Sequence, residues 1–124
     1  MTWVDVGGGT ARVLEYFDAA TIRKYFKKIF IIDVSSSLLD VARERIRNMK
    51  LEGIVQVIEE DFTSVGALSA IPIPLHTVDI ITFSYSLSMI AKQAAAIENS
   101  SKLLKRKYHT RHGGKVYLKL IEIF

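Results

Sequence analysis

The sequence predicts an α/β domain of Rossmann-like type, with a mostly parallel sheet and helices on both faces. Trp3 to Val6 is a short apolar run that suits a buried parallel strand, and three glycines follow it at Gly7 to Gly9. A second apolar run, Ile29 to Val34, has an acid, Asp33, near its end. Strand, glycine turn, helix, strand and acid in this order are typical of the nucleotide-binding half of such a fold.

The segment between these two strands is predicted to hold one helix and one connection. The helix should run from Thr10 to Asp18 and pack on the sheet, because apolar residues recur there at helical spacing. These residues are Val13, Leu14 and Phe17. The connection from Thr21 to Lys28 is basic and aromatic, and we expect its Tyr25 and Phe26 to lie in the core.

The next predicted helix has the clearest signals in the chain. Serines 35–37 offer N-caps, and Ser37 with Asp40 approximates a capping box. An apolar stripe follows, formed by Leu38, Val41, Ala42, Ile46 and Met49. Gly53 is suited to end the helix near Leu51 in a left-handed conformation. A third strand is expected over Ile54 to Ile58, and Arg43, Arg45 and Arg47 are interpreted as surface charges.

The second half of the chain continues the alternation of strands and helices. Asp61 to Thr77 contains glycine and two prolines and predicts a loop with at most a short helix. Val78 to Phe83 predicts a fourth strand, Ser88 to Lys105 a helix, and Lys115 to Ile123 a fifth strand. The apolar face of that helix would carry Ile90, Ala94, Ile97 and Leu104.

The glycine turn and the acid that follows indicate a ligand containing a nucleoside. Asp33 lies 24 positions after Gly9, near the ~20-residue offset at which a carboxylate binds ribose hydroxyls. A dinucleotide motif requires glycine at the sixth position of the loop, where Arg12 stands. Each element alone also fits a plain turn, a helix start or a solvated strand end. Their order within about 60 residues favours the nucleoside site.

Asp5-Val6-Gly7-Gly8-Gly9-Thr10-Ala11 resembles the Asp-x-Gly-x-Gly-x-Gly motif of class I S-adenosylmethionine (SAM) methyltransferases, with Ala11 in place of the third glycine. Glu59-Glu60-Asp61-Phe62 falls where that family places an acid for the adenine amine and an apolar neighbour for the ring. The resemblance implies SAM as the cofactor and a set of cofactor-binding residues. These are Asp5, Gly7, Gly8, Gly9, Asp33, Val34, Ser35, Asp61, Phe62 and Ser84.

Trp3 to Thr10 and Asp79 to Ile90 also resemble the methyltransferase part of betaine-lipid synthase. That resemblance covers roughly residues 2–90 and implies N-methylation of a homoserine-derived lipid head group, three times, from SAM. It further implies a lipid or small-molecule amine as acceptor and fusion to the part that joins the homoserine unit to diacylglycerol. Another small-molecule SAM methyltransferase is the alternative. Tyr85 is the candidate catalytic residue, because an aromatic ring attracts a quaternary ammonium by ~0.5 to 2 kcal/mol. A tyrosine packed under the following helix is the alternative interpretation.

The resemblance is limited towards the end of the chain. Ala91 stands where that family has proline, and residues 91–124 form a basic tail of uncertain assignment. Class I enzymes add a helix and an antiparallel strand pair after the fifth strand, whereas this sequence has 124 residues and stops there. The sequence therefore predicts a single, partial SAM-binding domain, and these residues alone could be inactive.

Composition excludes several function classes. The chain has no cysteine, which excludes disulfides, zinc–cysteine sites and a cysteine nucleophile, and three scattered histidines predict no metal site. The net charge of +4 arises in residues 91–124, which carry +6 against −2 for residues 1–90. This tail could contact lipid phosphates, although a solvated helix end is the simpler interpretation. With no signal peptide or membrane-spanning run, we expect an intracellular protein, cytoplasmic or peripheral at a membrane.

Three rival functions stay open. A nucleic-acid methyltransferase that modifies the adenine amine would show a four-residue motif after the fourth strand: Asn or Asp, then Pro-Pro, then Tyr or Phe. Phe83-Ser84-Tyr85-Ser86 lacks this motif, so no nucleic-acid partner is expected. A nicotinamide oxidoreductase would bind NAD instead of SAM. A non-catalytic fragment would bind SAM weakly or only scaffold a partner.

Overall fold

Five parallel strands form one sheet in the order β3-β2-β1-β4-β5. The computed structural model describes residues 1–84, 92–105 and 120–122. The strands are β1 (Thr2–Val6), β2 (Lys28–Asp33), β3 (Val55–Glu59), β4 (Ile80–Phe83) and β5 (Leu120–Glu122). Strand order reverses between β1 and β4, and parallel α/β sheets open their ligand crevice at such a switch point. The predicted Rossmann-like fold is confirmed.

The helices alternate with the strands. They are α1 (Ala19–Tyr25), α2 (Ser36–Asn48), α3 (Ala67–Ala70) and α4 (Gln93–Leu103), and a 3-10 helix covers Arg12–Tyr16. The prediction of one helix from Thr10 to Asp18 was wrong. Asp18 is instead the N-cap of α1, where its side chain accepts a hydrogen bond from the Thr21 amide. This capping acid separates two short helical elements.

The segment predicted as a basic connection is therefore mostly α1. Its aromatic residues also differ from the expectation that both lie in the core. Tyr25 is half exposed, while Phe26 is partly buried and its ring centroid lies 5.3 Å from that of Trp3. Tyr25 stands at the last position of α1, and the buried residue of this helix is Ile22.

Helix α2 confirms the strongest helix prediction but corrects its two ends. Ser35, not Ser37, is the N-cap, and its hydroxyl accepts from the Leu38 amide. The left-handed residue after the helix is Lys50, with φ of 56°, so Gly53 does not end it. The buried face is formed by Leu39, Ala42 and Ile46.

The later elements agree with the prediction in kind. Residues 61–77 form a connection with the single short helix α3, and β5 lies inside the predicted fifth strand. The predicted inner face of α4 was right at Leu104, which is buried, and wrong at Ala94 and Ile97, which are exposed. The buried residues within the helix are Ala96, Ser100 and Leu103. Predicted helix residues 88–91 lie outside the described residues.

Side chains alternate along each strand into two apolar layers. One face of β1 contributes Val4 and Val6 to the layer that α4 covers. The other face contributes Trp3 to the layer formed with the 3-10 helix, α1 and α2. Asp5 lies on the same face as Trp3, because successive strand residues point to opposite sides. A carboxylate is thereby placed in an apolar layer beside the switch point.

No helix among the described residues is long and apolar enough to cross a membrane. Of the basic tail, the structure describes Lys102, which pairs with Glu98 at 3.3 Å, and Lys105, which pairs with Asp79 at 3.0 Å. Lys92 is also described, as the N-cap of α4, and the remaining tail cations fall outside the described residues.

Candidate functional site

The glycine loop leaves β1 at the switch point and turns sharply towards the 3-10 helix. Gly7 and Gly9 have φ of 72° and 52°, which glycine adopts without the strain that a side chain brings. Ala11, which stands in the place of the third glycine of the motif, also has a positive φ of 60° and is fully buried. The predicted tight turn is present.

Gly8 is required for a different reason. A Cβ at this position would lie 2.5 Å from Ile31 Cγ2 and 2.8 Å from Asp5 Oδ2. The loop backbone therefore rests directly on β2 and on the Asp5 carboxyl, at a distance that only a residue without a side chain permits.

Asp33 joins the two strand ends that bound the site. Its Oδ2 accepts a hydrogen bond from the Gly9 amide at 2.9 Å, and its Oδ1 accepts one from the Ser35 amide at 2.9 Å. A carboxylate offers about four lone-pair sites. Two of them stay available to a ligand, although the residue is only 8% exposed.

A cleft of about 210 Å³ opens in front of Asp33. It is bounded by the ends of β1 and β2 and by the segment after β3. Its lining is Val6, Gly7, Ile32, Asp33, Val34, Glu60, Asp61, Phe62 and Thr63. Five predicted site residues thus meet at one cleft, while Asp5, Gly8, Gly9, Ser35 and Ser84 are not among its lining residues.

The acid at the end of β3 is ordered by its own turn. Asp61 Oδ1 accepts hydrogen bonds from the Thr63 hydroxyl at 2.7 Å and the Thr63 amide at 2.9 Å. These bonds lower the pKa of the exposed Asp61 carboxyl. Within the part of the chain that the structure describes, the hydrogen bonds to the Asp61 side chain are both made to Oδ1.

Phe62 is buried and packs edge-to-face on Phe83, with ring centroids 6.5 Å apart. Its carbonyl accepts a hydrogen bond from Asn99 Nδ2 at 2.9 Å, so α4 holds this wall of the cleft. Asn99 was not predicted as a site residue, because nothing in the local sequence marks it as a partner of a residue 37 positions earlier.

Asp5 lies behind the glycine loop and is completely buried. Its Oδ1 accepts from the Thr82 hydroxyl and its Oδ2 from the Ser84 hydroxyl, both at 2.6 Å. Thr82 in turn accepts from the Trp3 indole N–H at 2.7 Å. Burial raises the pKa of Asp5 to about 6, the two hydroxyls act against that rise, and the charge of Asp33 adds to it. Because Asp5 is completely buried and does not line the cleft, it supports the loop from behind.

Arg45 is a site residue that the sequence interpretation placed among surface charges. Its Nε donates to the Thr10 carbonyl at 2.9 Å, and its guanidinium forms an ion pair with Glu15. The side chain is 24% exposed. Helix α2 is thereby tied to the end of the glycine loop. The spacing from Ala42 and Ile46 puts Arg45 beside the buried stripe, which was the available signal.

Tyr85, the candidate catalytic residue, lies outside the described residues. Ser84, just before it, is described. Its amide donates to the Val6 carbonyl at 3.1 Å and its hydroxyl is used by Asp5.

Comparison with known proteins identifies relatives of this arrangement. The profile of the Methyltransferase domain family matches residues 4–109. A ubiquinone/menaquinone biosynthesis C-methyltransferase from Salmonella arizonae is 27% identical over 104 residues, and so is that from Salmonella paratyphi B. The match covers 84% of this chain and 38% of each relative, so the chain spans well under half of their length.

Solved structures show the same fold. A SAM-dependent methyltransferase from Aquifex aeolicus superposes with a TM-score of 0.68 at 23% identity, covering 93% of this chain and 61% of that one. The cyclase SpnF superposes with a TM-score of 0.67 at 24% identity, covering 84% and 35%. Because the cyclase carries a different chemistry by name, these likenesses establish the architecture alone.

The family profile spans most of the chain, and the glycine loop, the acid after β2 and the strand order all agree with it. The protein belongs to the Methyltransferase domain family and has the class I, Rossmann-like fold of SAM-dependent methyltransferases.

Proposed function

We propose that this chain binds SAM in the cleft at the ends of β1, β2 and β3 and forms the cofactor half of a methyltransferase. The observation that carries the proposal is the position of Asp33, which accepts the Gly9 amide at 2.9 Å and still has lone pairs facing the cleft. Two ribose hydroxyls would donate to those sites. Asp61 Oδ2 would accept the adenine amine.

The charge of the cleft supports SAM over a phosphate-containing dinucleotide. Asp33, Glu60 and Asp61 line it, and none of its lining residues in the described part of the chain is Lys or Arg. Like charges repel a pyrophosphate, whereas the sulfonium and ammonium groups of SAM are attracted. Arg12 at the sixth loop position also departs from the dinucleotide motif.

The chemistry asks little of the protein beyond placement. The acceptor lone pair forms a bond to the methyl carbon while the carbon–sulfur bond breaks, and S-adenosylhomocysteine (SAH) leaves. An acceptor amine loses its proton to solvent. Because SAM carries its own electrophile, the protein supplies orientation and excludes water. The switch point between β1 and β4 is the natural meeting place of methyl group and acceptor.

For the acceptor we propose a lipid head-group amine, on the resemblance of residues 3–10 and 79–90 to betaine-lipid synthase. Tyr85 would then face the methylated nitrogen, the basic tail would contact the membrane surface, and the intact product would carry the aminocarboxypropyl-transferase part.

The 27% identity to quinone C-methyltransferases favours a second candidate, methylation of a ring carbon in an apolar substrate.

Two experiments test these proposals in turn. Titration calorimetry of the 124-residue chain with SAH, SAM and NAD should give binding of the first two and none of NAD. Binding of NAD in their place would refute the cofactor assignment.

Cells that express the intact gene product should then be fed methionine with a deuterated methyl group and their lipids analysed by mass spectrometry. One to three labelled methyls on a head-group nitrogen support the amine acceptor, and label on a quinone ring supports the carbon acceptor instead.

A further inference from the structure

A buried polar chain connects β4 to the glycine loop. It runs from the Trp3 indole to the Thr82 hydroxyl and on to Asp5 Oδ1, while the Ser84 hydroxyl reaches Asp5 Oδ2. Thr82 and Ser84 are both on the side of β4 that faces away from Phe83 and the α4 layer. The two hydroxyls are separated by 77 and 79 positions from the carboxylate they hold.

The geometry leaves this carboxyl little freedom. Thr82 is 4% exposed and Asp5 is fully buried, so water cannot replace a lost hydroxyl donor. Asp5 Oδ2 lies directly under Gly8, where a Cβ would come within 2.8 Å of it. A carboxyl that rotates or gains a proton must therefore disturb either the Ser84 hydroxyl or the loop backbone above it.

We propose that Thr82 is a positioning residue for the cofactor site, which holds the Asp5 carboxylate, and through it the backbone of Gly8, in the conformation that binds SAM. Ser84 completes the same cradle from the end of β4. This inference rests on the proposed cofactor function and extends it to a residue outside the cleft.

Ionisation of Asp5 gives this role a measurable signature. The pKa of Asp5 is about 6, and each hydroxyl donor holds it lower than burial alone would. Asp33 on the neighbouring strand β2 is the charged group that raises the pKa of Asp5. On the other side, the hydroxyls of Thr82 and Ser84 lower this pKa. Removing the Thr82 hydroxyl should therefore raise the pKa of Asp5 further.

The test compares Thr82→Val, Thr82→Ser and the wild-type chain, with Thr77→Val as a matched control. Thr77 is on the loop before β4, and its hydroxyl donates to the nearby Pro74 carbonyl at 2.6 Å. SAH affinity is measured by calorimetry from pH 5 to 8.5. If binding requires ionised Asp5 and Thr82→Val raises its pKa by about one unit, affinity falls roughly fivefold at pH 6 and about twofold at pH 7, with no change at pH 8.5. Thr82→Ser and Thr77→Val should follow the wild-type profile.

Nuclear magnetic resonance supplies a second, ligand-free measurement. The amides of Gly7 to Gly9 should titrate with a midpoint near 6, together with the Asp5 carboxyl carbon, and the midpoint should rise in Thr82→Val. A variant that melts earlier but keeps both midpoints would show that Thr82 is merely structural, and the inference would fall. If Thr82→Val does not fold, Ser84→Ala should raise the same midpoint. Absence of SAH binding by the wild type refutes the cofactor proposal, and the amide titration still decides the role of Thr82.

Discussion

Asp33 Oδ2 accepts a hydrogen bond from the Gly9 amide at 2.9 Å, so the end of β2 holds the loop that follows β1. The same carboxylate accepts from the Ser35 amide at the start of α2. One side chain thereby connects the end of β2, the glycine loop and the start of α2, and it presents its remaining lone pairs to a ligand. The effects expected of substitutions on stability and SAH binding depend on this arrangement and on the buried network behind it.

Replacing Asp33 by alanine should weaken SAH binding by about 2 to 3 kcal/mol, roughly 30- to 150-fold in Kd. The ribose hydroxyls and the Gly9 amide would all lose their acceptor. Calorimetry on protein shown to be folded by circular dichroism measures this. Asp40→Ala is the control, because Asp40 lies exposed on α2 and pairs with Arg43 on the same helix. Equal SAH affinity in Asp33→Ala and wild type would show that the ribose is bound elsewhere.

Replacing Asp5 by asparagine should stabilise the fold at neutral pH. The folded-state pKa of Asp5 is about 6 against an ordinary 3.8, so the folded chain binds more protons between these values. Stability therefore decreases as pH rises from about 4 to about 6, and the loss is complete above that range. An amide cannot ionise and avoids this loss, which the linkage relation puts at about 2 to 3 kcal/mol.

Urea denaturation at pH 4 and pH 7.5 measures the Asp5→Asn effect as the difference between variant and wild type. That difference should grow towards pH 7.5. Asp79→Asn is a control for which we expect the opposite effect on stability. Burial opposes ionisation of Asp79, but the Thr2 amide and Lys105 outweigh it and lower its pKa, so its loss should destabilise the chain at neutral pH. A pH-independent Asp5→Asn difference would contradict the buried ionised state.

Gly8→Ala should destabilise the chain by about 1 to 3 kcal/mol, because the new methyl group would overlap Ile31 and Asp5. Gly53→Ala has the opposite expectation. No heavy atom of the described residues lies within 4 Å of a Cβ at Gly53, and its φ is not left-handed, so the substitution should be neutral or stabilise by about 0.4 to 1 kcal/mol. Chemical denaturation of both variants measures the contrast. Similar stability of the two would mean that the loop does not rest on Asp5.

Arg45→Met should cost about 1 to 2 kcal/mol of stability and also weaken SAH binding. The substitution leaves the part-buried Thr10 carbonyl without its donor and so frees the end of the glycine loop. Arg43→Met serves as the control, since Arg43 makes an exposed ion pair worth less than about 1 kcal/mol. Denaturation and calorimetry are both needed. A loss of stability with unchanged SAH affinity would separate Arg45 from the cofactor site.

The strands were predictable because buried parallel strands are nearly continuous apolar runs, and β1 to β4 lie within two residues of the predicted bounds. The first helix was not predictable in this way, because Asp18 caps a new helix at a point where the apolar spacing alone favoured one continuous helix. The inner face of α4 was also mispredicted at Ala94 and Ile97. Its small residues, Ala96 and Ser100, fit close against the sheet, whereas periodicity favoured the larger Ile97.

Within the candidate site, residues in a local motif were predictable and residues that act at a distance were not. Gly7, Asp33 and Asp61 follow strand ends at spacings that mark a nucleoside site, and all three line the cleft. Arg45 and Asn99 belong to no local motif of this kind. Their partners are backbone carbonyls 35 and 37 positions away, and only the packing of a helix against the loop brings them together.

The sequence by itself determined the alternation of strands and helices, the glycine turn and the acid that follows it, because these depend on local periodicity, backbone freedom and spacing. Tertiary structure alone decided that Asp5 is a buried support and not a ligand-facing acid. That outcome follows from the register of β1 on β4, which sets Asp5 opposite Thr82 and brings two hydroxyls to one carboxylate. A chain without this pairing would show the same motif, since the motif does not encode which strand lies beside β1.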